Sequence, residues 1–170
     1  KVCQAANIEV VFPENQTCCG LPLSMLGETD AAKSTAIQNI DAFCNDYDAI
    51  VTLCASCASH LKHGYVNLLS DKALKFAEKV IDFSSFVHDM IGLDSIKIKQ
   101  SSEKVAYHAS CHLCKGLGVK EAPRSIIKAV ADYTPSPEEE SCCGFGGSFS
   151  AKFPEISAEL MKKKLGNISN

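Results

Sequence analysis

Cysteine is the residue type in this sequence best suited to chemistry, and its spacing follows a pattern. The chain has ten cysteines among 170 residues, and they cluster as Cys-Cys-Gly at Cys18 and Cys142 and as Cys-x-x-Cys at Cys54. Such clusters are typical of metal binding or redox reactions. Disulfides and inert core thiols are the alternatives. The chain is long enough to bury a core, however, and its helical periodicity is typical of cytosolic proteins. We therefore predict that these thiols bind a metal or a cluster.

The residues around each motif give a physical reason for this chemistry. Cys54 and Cys57 are predicted where a strand enters a helix, and the free amides of a helix start favour anionic thiolates. Gly20 permits a backbone turn that lets the preceding sulfurs point inward, and Gly144 does the same in the second loop. Two other interpretations stay open. Cys54 and Cys57 could form a thioredoxin-like redox pair, or these two thiolates together with those of Cys18 and Cys19 could hold structural zinc.

Other cysteines and histidines are interpreted from their positions. Cys3 and Cys44 lie on predicted apolar helix faces, so we expect them in the core. His108 and His112 flank Cys111. Either histidine could bind metal or donate a hydrogen bond to a cluster sulfur, and a plain packing role is an equal alternative.

Composition excludes several classes of protein. Net charge is −3 and no basic stripe is present, so nucleic acid is not an expected partner. No run approaches the ~20 apolar residues of a membrane span, and the first residues do not resemble a secretion signal. We expect a chain that does not span a membrane and that is cytoplasmic, either free or held at the membrane periphery through partners.

Hydrophobic periodicity predicts alternating strands and helices. Strands are predicted at residues 8–12, 49–53 and 105–108, and helices at residues 29–44, 58–69, 80–90, 122–132 and 153–165. This alternation indicates an α/β fold with short, mainly parallel sheets flanked by helices. Because ligands gather at the carboxyl ends of parallel strands, the cysteine motifs that follow these strands are expected to form a site.

The two Cys-Cys-Gly motifs indicate an internal repeat. Aligning Cys18-Cys19-Gly20 on Cys142-Cys143-Gly144 brings a small-residue loop and then a helix into register in both copies. We predict two similar halves related by a pseudo-two-fold, with a polar connector between them. Repeat one would span residues 1–95, truncated at its start, and repeat two residues 103–170, truncated at its end.

The motifs and their flanks carry a family resemblance over nearly the whole chain. The segments are FPENQTCCGLP, YDAIVTLCASCASHLKHGY, VAYHASCHL and CCGFGGSFSAKFPEIS. They resemble the cysteine-rich CCG domain of the iron–sulfur subunits of bacterial lactate utilisation and glycolate oxidase systems. The same domain occurs in heterodisulfide reductase and in anaerobic glycerol-3-phosphate dehydrogenase.

This resemblance implies a function and a set of ligands. It implies an electron-transfer subunit of a flavin-linked 2-hydroxyacid (lactate or glycolate) oxidising system, with a flavoprotein dehydrogenase subunit and a further redox carrier as partners. The alternatives are a cluster-based disulfide reductase subunit of the heterodisulfide type and a zinc-stabilised interaction module. The expected cofactor is a [4Fe–4S] cluster, of noncubane type in the heterodisulfide branch. The matching cysteines are Cys18, Cys19, Cys54 and Cys57 for one site and Cys111, Cys142 and Cys143 for the other.

Both sets have fewer cysteines than the family's five. A chain cut at these ends is therefore expected to be empty or to bind zinc at the first site, with clusters in the intact protein. Cys114 has no counterpart in the family motif and is expected not to be a ligand. No catalytic residue is assigned.

Overall fold

A computed structural model describes residues 1–168 of the chain. It divides into two compact units, the first comprising Lys1–Lys97 and the second beginning at Ile98. No helix within residues 1–168 combines the length and the apolar character needed to cross a membrane.

The first unit is mostly helical around one short parallel sheet. Strand β1 pairs in parallel with β2, with Ile50 opposite Val80 and Thr52 opposite Asp82. Its helices are α1 (Val2–Ala5), α2 (Leu21–Leu26), α3 (Thr29–Ala42), α4 (Ala55–Ser59), α5 (Tyr65–Leu69), α6 (Leu74–Lys79) and α7 (Phe83–Ser85), and its strands are β1 (Ile50–Thr52) and β2 (Val80–Asp82). Two π-helical turns (His60–Gly64, Phe86–Ile91) and two 3-10 turns (Ser70–Ala73, Leu93–Ser95) complete it. Parallel strands need a long crossover, and the helices from α4 to α6 provide it.

The core of this unit lies between α3, the sheet and the crossover helices. Its buried members are Ala36, Ile50, Tyr65, Ala73, Phe76 and Val80. The Tyr65 and Phe76 rings stack with centroids 5.5 Å apart. This packing fixes α5 against α3 and thereby positions the residues that follow β1.

Two sequence predictions fail in the first unit. Residues 8–12 form no strand, and the Phe12 side chain is 78% exposed, because no other strand pairs with this segment. The helix expected at residues 80–90 instead begins as β2, since Val80–Asp82 pairs with β1. Helix α7 then starts where the Asp82 side chain accepts hydrogen bonds from the Ser84 and Ser85 amides.

The second unit also contains a short parallel sheet. Lys104 lies opposite Asp132 and Val105 opposite Tyr133. The strands are β3 (Lys104–Val105) and β4 (Asp132–Tyr133), and the helices are α8 (Glu121–Val130), α9 (Phe149–Lys152) and α10 (Pro154–Ile168), with a π-helical turn at His112–Gly116. The strand expected at residues 105–108 is therefore shorter and earlier in the chain, and β4 lies partly where the α8 helix was expected to continue.

The predicted α/β class is confirmed, because each unit combines helices with a parallel pair of strands. The pseudo-two-fold repeat and its boundaries stay predictions.

Candidate functional site

The first Cys-Cys-Gly motif forms the turn that begins α2. Cys18 is exposed and Cys19 is half-buried, whereas Gly20 is buried. Gly20 has φ +79°, and a Cβ there would lie 3.1 Å from Thr35 Cγ2 on α3. Both the left-handed backbone and the close approach of α3 favour glycine at this position.

One side chain of α3 holds this loop in place. Asn39 is 3% exposed, and its Oδ1 accepts a hydrogen bond from the Thr17 amide at 2.9 Å. Its Nδ2 donates to the Cys18 carbonyl at 3.0 Å and to the Tyr65 hydroxyl at 2.8 Å. The Cys18–Cys19 loop is therefore tied to α3 and, through Tyr65, to the helix that follows the second cysteine pair.

Cys54 lies between β1 and α4, where the sequence predicts a strand entering a helix, and Cys57 lies within α4. Cys54 has extended backbone and directly precedes α4. Its sulfur lies 3.4 Å from Ser56 Oγ. Hydrogen bonds from the Ser56 hydroxyl and the Cys57 amide lower the pKa of the Cys54 thiol. Cys54 is thus the more easily ionised thiol of this pair.

Cys57 joins the two cysteine pairs. Burial, then hydrogen bonding to Cys19 and the charge of Cys19, and then the same two effects from Cys54, raise the pKa of Cys57 to about 12. Cys57 therefore interacts with both Cys19 and Cys54, although Cys19 is distant from the other two in sequence. Cys18 directly precedes Cys19 on the same loop, and the charges of Cys19, Cys18 and Cys57 add to the effect of burial on Tyr65.

Tyr65 and His60 are both buried and pack against each other. Tyr65 is 0% exposed, and burial is the main cause that raises its pKa to about 12. The His60 ring packs edge-on against Tyr65 with centroids 5.5 Å apart, and its Nε2 lies 3.3 Å from Ser24 Oγ. Burial lowers the pKa of His60, so this imidazole favours its neutral form. A Cβ at Gly64 would overlap the His60 imidazole, so glycine is needed at that position.

The second Cys-Cys-Gly motif is held by α10 in a comparable way. Gly144 is buried with φ +76°, its carbonyl accepts a 2.8 Å hydrogen bond from Ser157 Oγ, and its amide donates to Cys142 Sγ at 3.3 Å. Lys164 is 4% exposed, and its ammonium donates to the Glu138, Glu139 and Ser141 carbonyls. A buried cation thus anchors the loop that leads into Cys142 and Cys143.

The remaining predicted residues of the second unit are less organised. Cys111 is exposed at the start of the π-helical turn at residues 112–116, whereas Cys114 within that turn is 3% exposed. Burial, followed by the charge of Lys164, lowers the pKa of His108. His112 begins the π-helical turn and is half-buried. Within residues 98–168, no hydrogen bond or ion pair joins Cys111 to the Cys142–Cys143 pair.

Cysteine thiolates are suitable ligands for a soft metal or an iron–sulfur cluster. Four of the motif cysteines lie in the first unit: Cys18, Cys19, Cys54 and Cys57. Within residues 1–168, no three His, Cys, Asp or Glu side chains are arranged to hold one metal ion directly. Cys44 is exposed beyond the end of α3, so its expected place in the core is wrong, and Cys3 is half-buried. Cys57 interacts with a thiol of each cysteine pair of the first unit, Cys19 and Cys54.

Sequence reasoning did not single out Asn39 or Tyr65. A signal for Asn39 was present, because a polar residue lies on the helix face that Ala32 and Ala36 bury. Tyr65 carried no comparable signal, since a tyrosine after a helical cysteine pair is equally suited to the surface.

The chain is similar to known proteins over almost its whole length. The family model of the cysteine-rich CCG domain matches residues 1–62 and 105–170. Lactate utilization protein A of Oceanobacillus iheyensis is 36% identical over 99% of this chain and 71% of its own length. Lactate utilization protein A 1 of Bacillus anthracis is 35% identical over 99% of this chain and 72% of its own length. Lactate utilization protein A 2 of Bacillus cereus is 34% identical with the same coverage. The chain therefore belongs to the cysteine-rich CCG domain family.

Proposed function

We propose that this chain is the iron–sulfur subunit of a lactate-utilisation system and that it carries electrons between redox partners. The observation that carries the proposal is the convergence of Cys19, Cys54 and Cys57, with Cys18 on the same loop, in a chain similar to lactate utilization proteins A. Glycolate is the alternative 2-hydroxyacid, since it differs from lactate by one methyl group.

Two thiols of different acidity in the first unit, those of Cys54 and Cys57, would hold the cluster. Cys54 supplies an easily ionised thiolate, whereas Cys57 is half-buried and interacts with both the Cys19 and the Cys54 thiols. Metal binding stabilises the thiolate form and so offsets the high pKa of Cys57. A bound [4Fe–4S] cluster supplies one-electron redox chemistry, and the protein tunes its potential through hydrogen bonds and burial.

The second cysteine group supports a second centre. Cys142 and Cys143 sit on a loop that Ser157 and Lys164 fix to α10. The buried Lys164 ammonium also places a positive charge behind this loop, which would favour a centre with net negative charge. Cys111 belongs to this set by its match to the family motif.

The partners follow from the chemistry of the substrate. Oxidation of a 2-hydroxyacid releases two electrons, and a flavin accepts both and passes them on singly. We therefore propose a flavoprotein dehydrogenase as the donor and a further redox carrier as the acceptor. Cytoplasmic location, free or at the membrane periphery through these partners, is part of this proposal.

Two experiments distinguish the proposal from its alternatives. Reconstitution of the reduced chain with iron and sulfide under anaerobic conditions, followed by dithionite reduction, is expected to give an electron paramagnetic resonance signal that an added one-electron acceptor abolishes. A chain that takes up stoichiometric zinc and no iron would instead be a zinc-stabilised module. A reconstituted chain that reduces a disulfide substrate would favour the cluster-based disulfide reductase.

A further inference from the structure

A buried amide connects the loop of the first cysteine pair to one hydroxyl group. Asn39 bonds the Thr17 amide, the Cys18 carbonyl and the Tyr65 hydroxyl, at 2.9, 3.0 and 2.8 Å. Cys18 begins the first Cys-Cys-Gly motif and Thr17 directly precedes it. Tyr65 is the first residue of α5, which follows the Cys54–Cys57 motif in the chain. A change in the Asn39 amide would therefore affect both the Thr17–Cys18 backbone and the Tyr65 hydroxyl.

The backbone partners fix the orientation of this amide. An N–H group such as that of Thr17 can only donate, and a carbonyl such as that of Cys18 can only accept. Asn39 must therefore place Oδ1 toward Thr17 and Nδ2 toward Cys18 and Tyr65. The Tyr65 oxygen accepts the bond from Nδ2, so its own hydrogen is left to be donated to another group.

The surroundings of Tyr65 limit where that hydrogen can be directed. The residue is 0% exposed, so bulk water does not reach it. Its ring is held between Phe76, stacked at 5.5 Å, and His60, edge-on at 5.5 Å. The Asn39 Nδ2 that bonds the Tyr65 hydroxyl also bonds the Cys18 carbonyl, so the hydroxyl lies beside the loop that carries the Cys18 and Cys19 thiols. The charges of these thiols also act on the phenol.

We propose that the Tyr65 hydroxyl donates a hydrogen bond to a cysteine sulfur of the Cys18–Cys19 loop when these cysteines bind a metal centre. Asn39 is the positioning residue that directs the hydroxyl. This inference rests on the proposed function and deepens it. A hydrogen bond to a charged sulfur stabilises the thiolate, and in a cluster it favours the more negative, reduced state.

Cobalt binding tests the proposal without any assay of activity. The reduced, metal-free chain is titrated with Co²⁺ under anaerobic conditions, and the sulfur-to-cobalt charge-transfer band reports thiolate ligation. Loss of the band in Cys57→Ser assigns it to the first unit. Tyr65→Phe keeps the ring and removes only the hydroxyl. Tyr47→Phe is the matched control, because the Tyr47 hydroxyl accepts a 3.2 Å bond from Asn45 at the surface.

We expect Tyr65→Phe to bind cobalt roughly tenfold more weakly, which is the range of a hydrogen bond to a charged group. Its charge-transfer band should move to lower energy, because the sulfur lone pair is no longer stabilised. Asn39→Asp keeps an oxygen toward Thr17 but lacks the amide donor, and it should move the band in the same direction. The effects of the two substitutions should be non-additive in the double variant, since both act on one hydroxyl.

The outcomes separate this inference from the proposed function. A wild-type cobalt band that neither Tyr65→Phe nor Asn39→Asp moves would overturn the hydrogen bond and leave the metal site standing. Lower resistance to urea without a band shift would assign Tyr65 a purely structural role and also overturn it. A wild-type chain with no cobalt–thiolate band would overturn the proposed function and the inference with it.

Discussion

Replacing Gly144 with alanine tests why a glycine follows the second cysteine pair. Its φ of +76° is left-handed, and a Cβ there would lie 2.9 Å from the Ser157 carbonyl oxygen and 2.9 Å from Leu160 Cβ. The carbonyl belongs to the backbone of α10, so it cannot move aside as a flexible side chain would. The substitution therefore combines backbone strain with overpacking.

The magnitude follows from these two effects. A left-handed alanine costs about 1–2 kcal/mol, and overpacking of this kind costs about 1–3 kcal/mol, so Gly144→Ala should lower the free energy of unfolding by roughly 2–5 kcal/mol. Gly118 has φ +71° with nothing within 4 Å of its Cβ position, so Gly118→Ala isolates the backbone effect. Gly146→Ala meets neither obstacle and should change stability by at most about 0.5 kcal/mol.

Urea unfolding followed by far-ultraviolet circular dichroism measures the series, since the chain has no tryptophan to serve as a fluorescence probe. The three glycines all lie in the second unit, so the variants share one background. We expect stability to decrease in the order Gly146→Ala, Gly118→Ala, Gly144→Ala. A Gly144→Ala chain as stable as Gly118→Ala would refute the close approach of α10 to the loop.

Three further predictions concern the first unit. Asn39→Ala should lower the free energy of unfolding in urea by roughly 2–4 kcal/mol, because it leaves buried backbone groups unpaired, whereas exposed Gln38→Ala should change it by at most about 0.5 kcal/mol. In the reduced, metal-free chain, iodoacetamide should alkylate Cys54 at lower pH than Cys57, because the pKa is lowered for Cys54 and raised to about 12 for Cys57; mass spectrometry would contradict this if Cys57 reacted first. Burial lowers the pKa of His60, so the unfolded state binds its proton more readily. Stability should therefore fall as pH drops through about 6.5, and a His60→Asn chain with the same pH dependence would contradict this.

The parts of the fold that the sequence predicts are those with a strong local pattern. The apolar run that ends at Leu53 predicts β1, and the spacing of Ala32 and Ala36 predicts α3, because both patterns match the periodicity of the element. The equally apolar residues 8–12 form no strand, since a strand also needs a hydrogen-bonded neighbour. The local pattern cannot show whether that neighbour exists. For the same reason, the pattern of residues 80–90 predicts a helix where Val80–Asp82 pairs with β1 as a strand.

The candidate site could be predicted only as a list of thiols. Motif spacing identified Cys54 and Cys57, but the contact of Cys57 with Cys19 depends on how α3 packs against the crossover helices. The supporting roles of Asn39 and Tyr65 arise from the same tertiary contacts. Cys44 was expected in the core because helical periodicity was extended past Ala42, where α3 ends.

Iron and sulfide content after anaerobic reconstitution tests the central proposal most directly. Cys57→Ser removes the thiol that contacts both Cys19 and Cys54, whereas Cys44→Ser removes an exposed thiol outside the motifs. We predict that the wild-type chain and Cys44→Ser bind the same amounts of iron and sulfide and that Cys57→Ser binds clearly less. Equal iron in Cys57→Ser and Cys44→Ser, or no iron in the wild-type chain, would contradict a cluster at these cysteines.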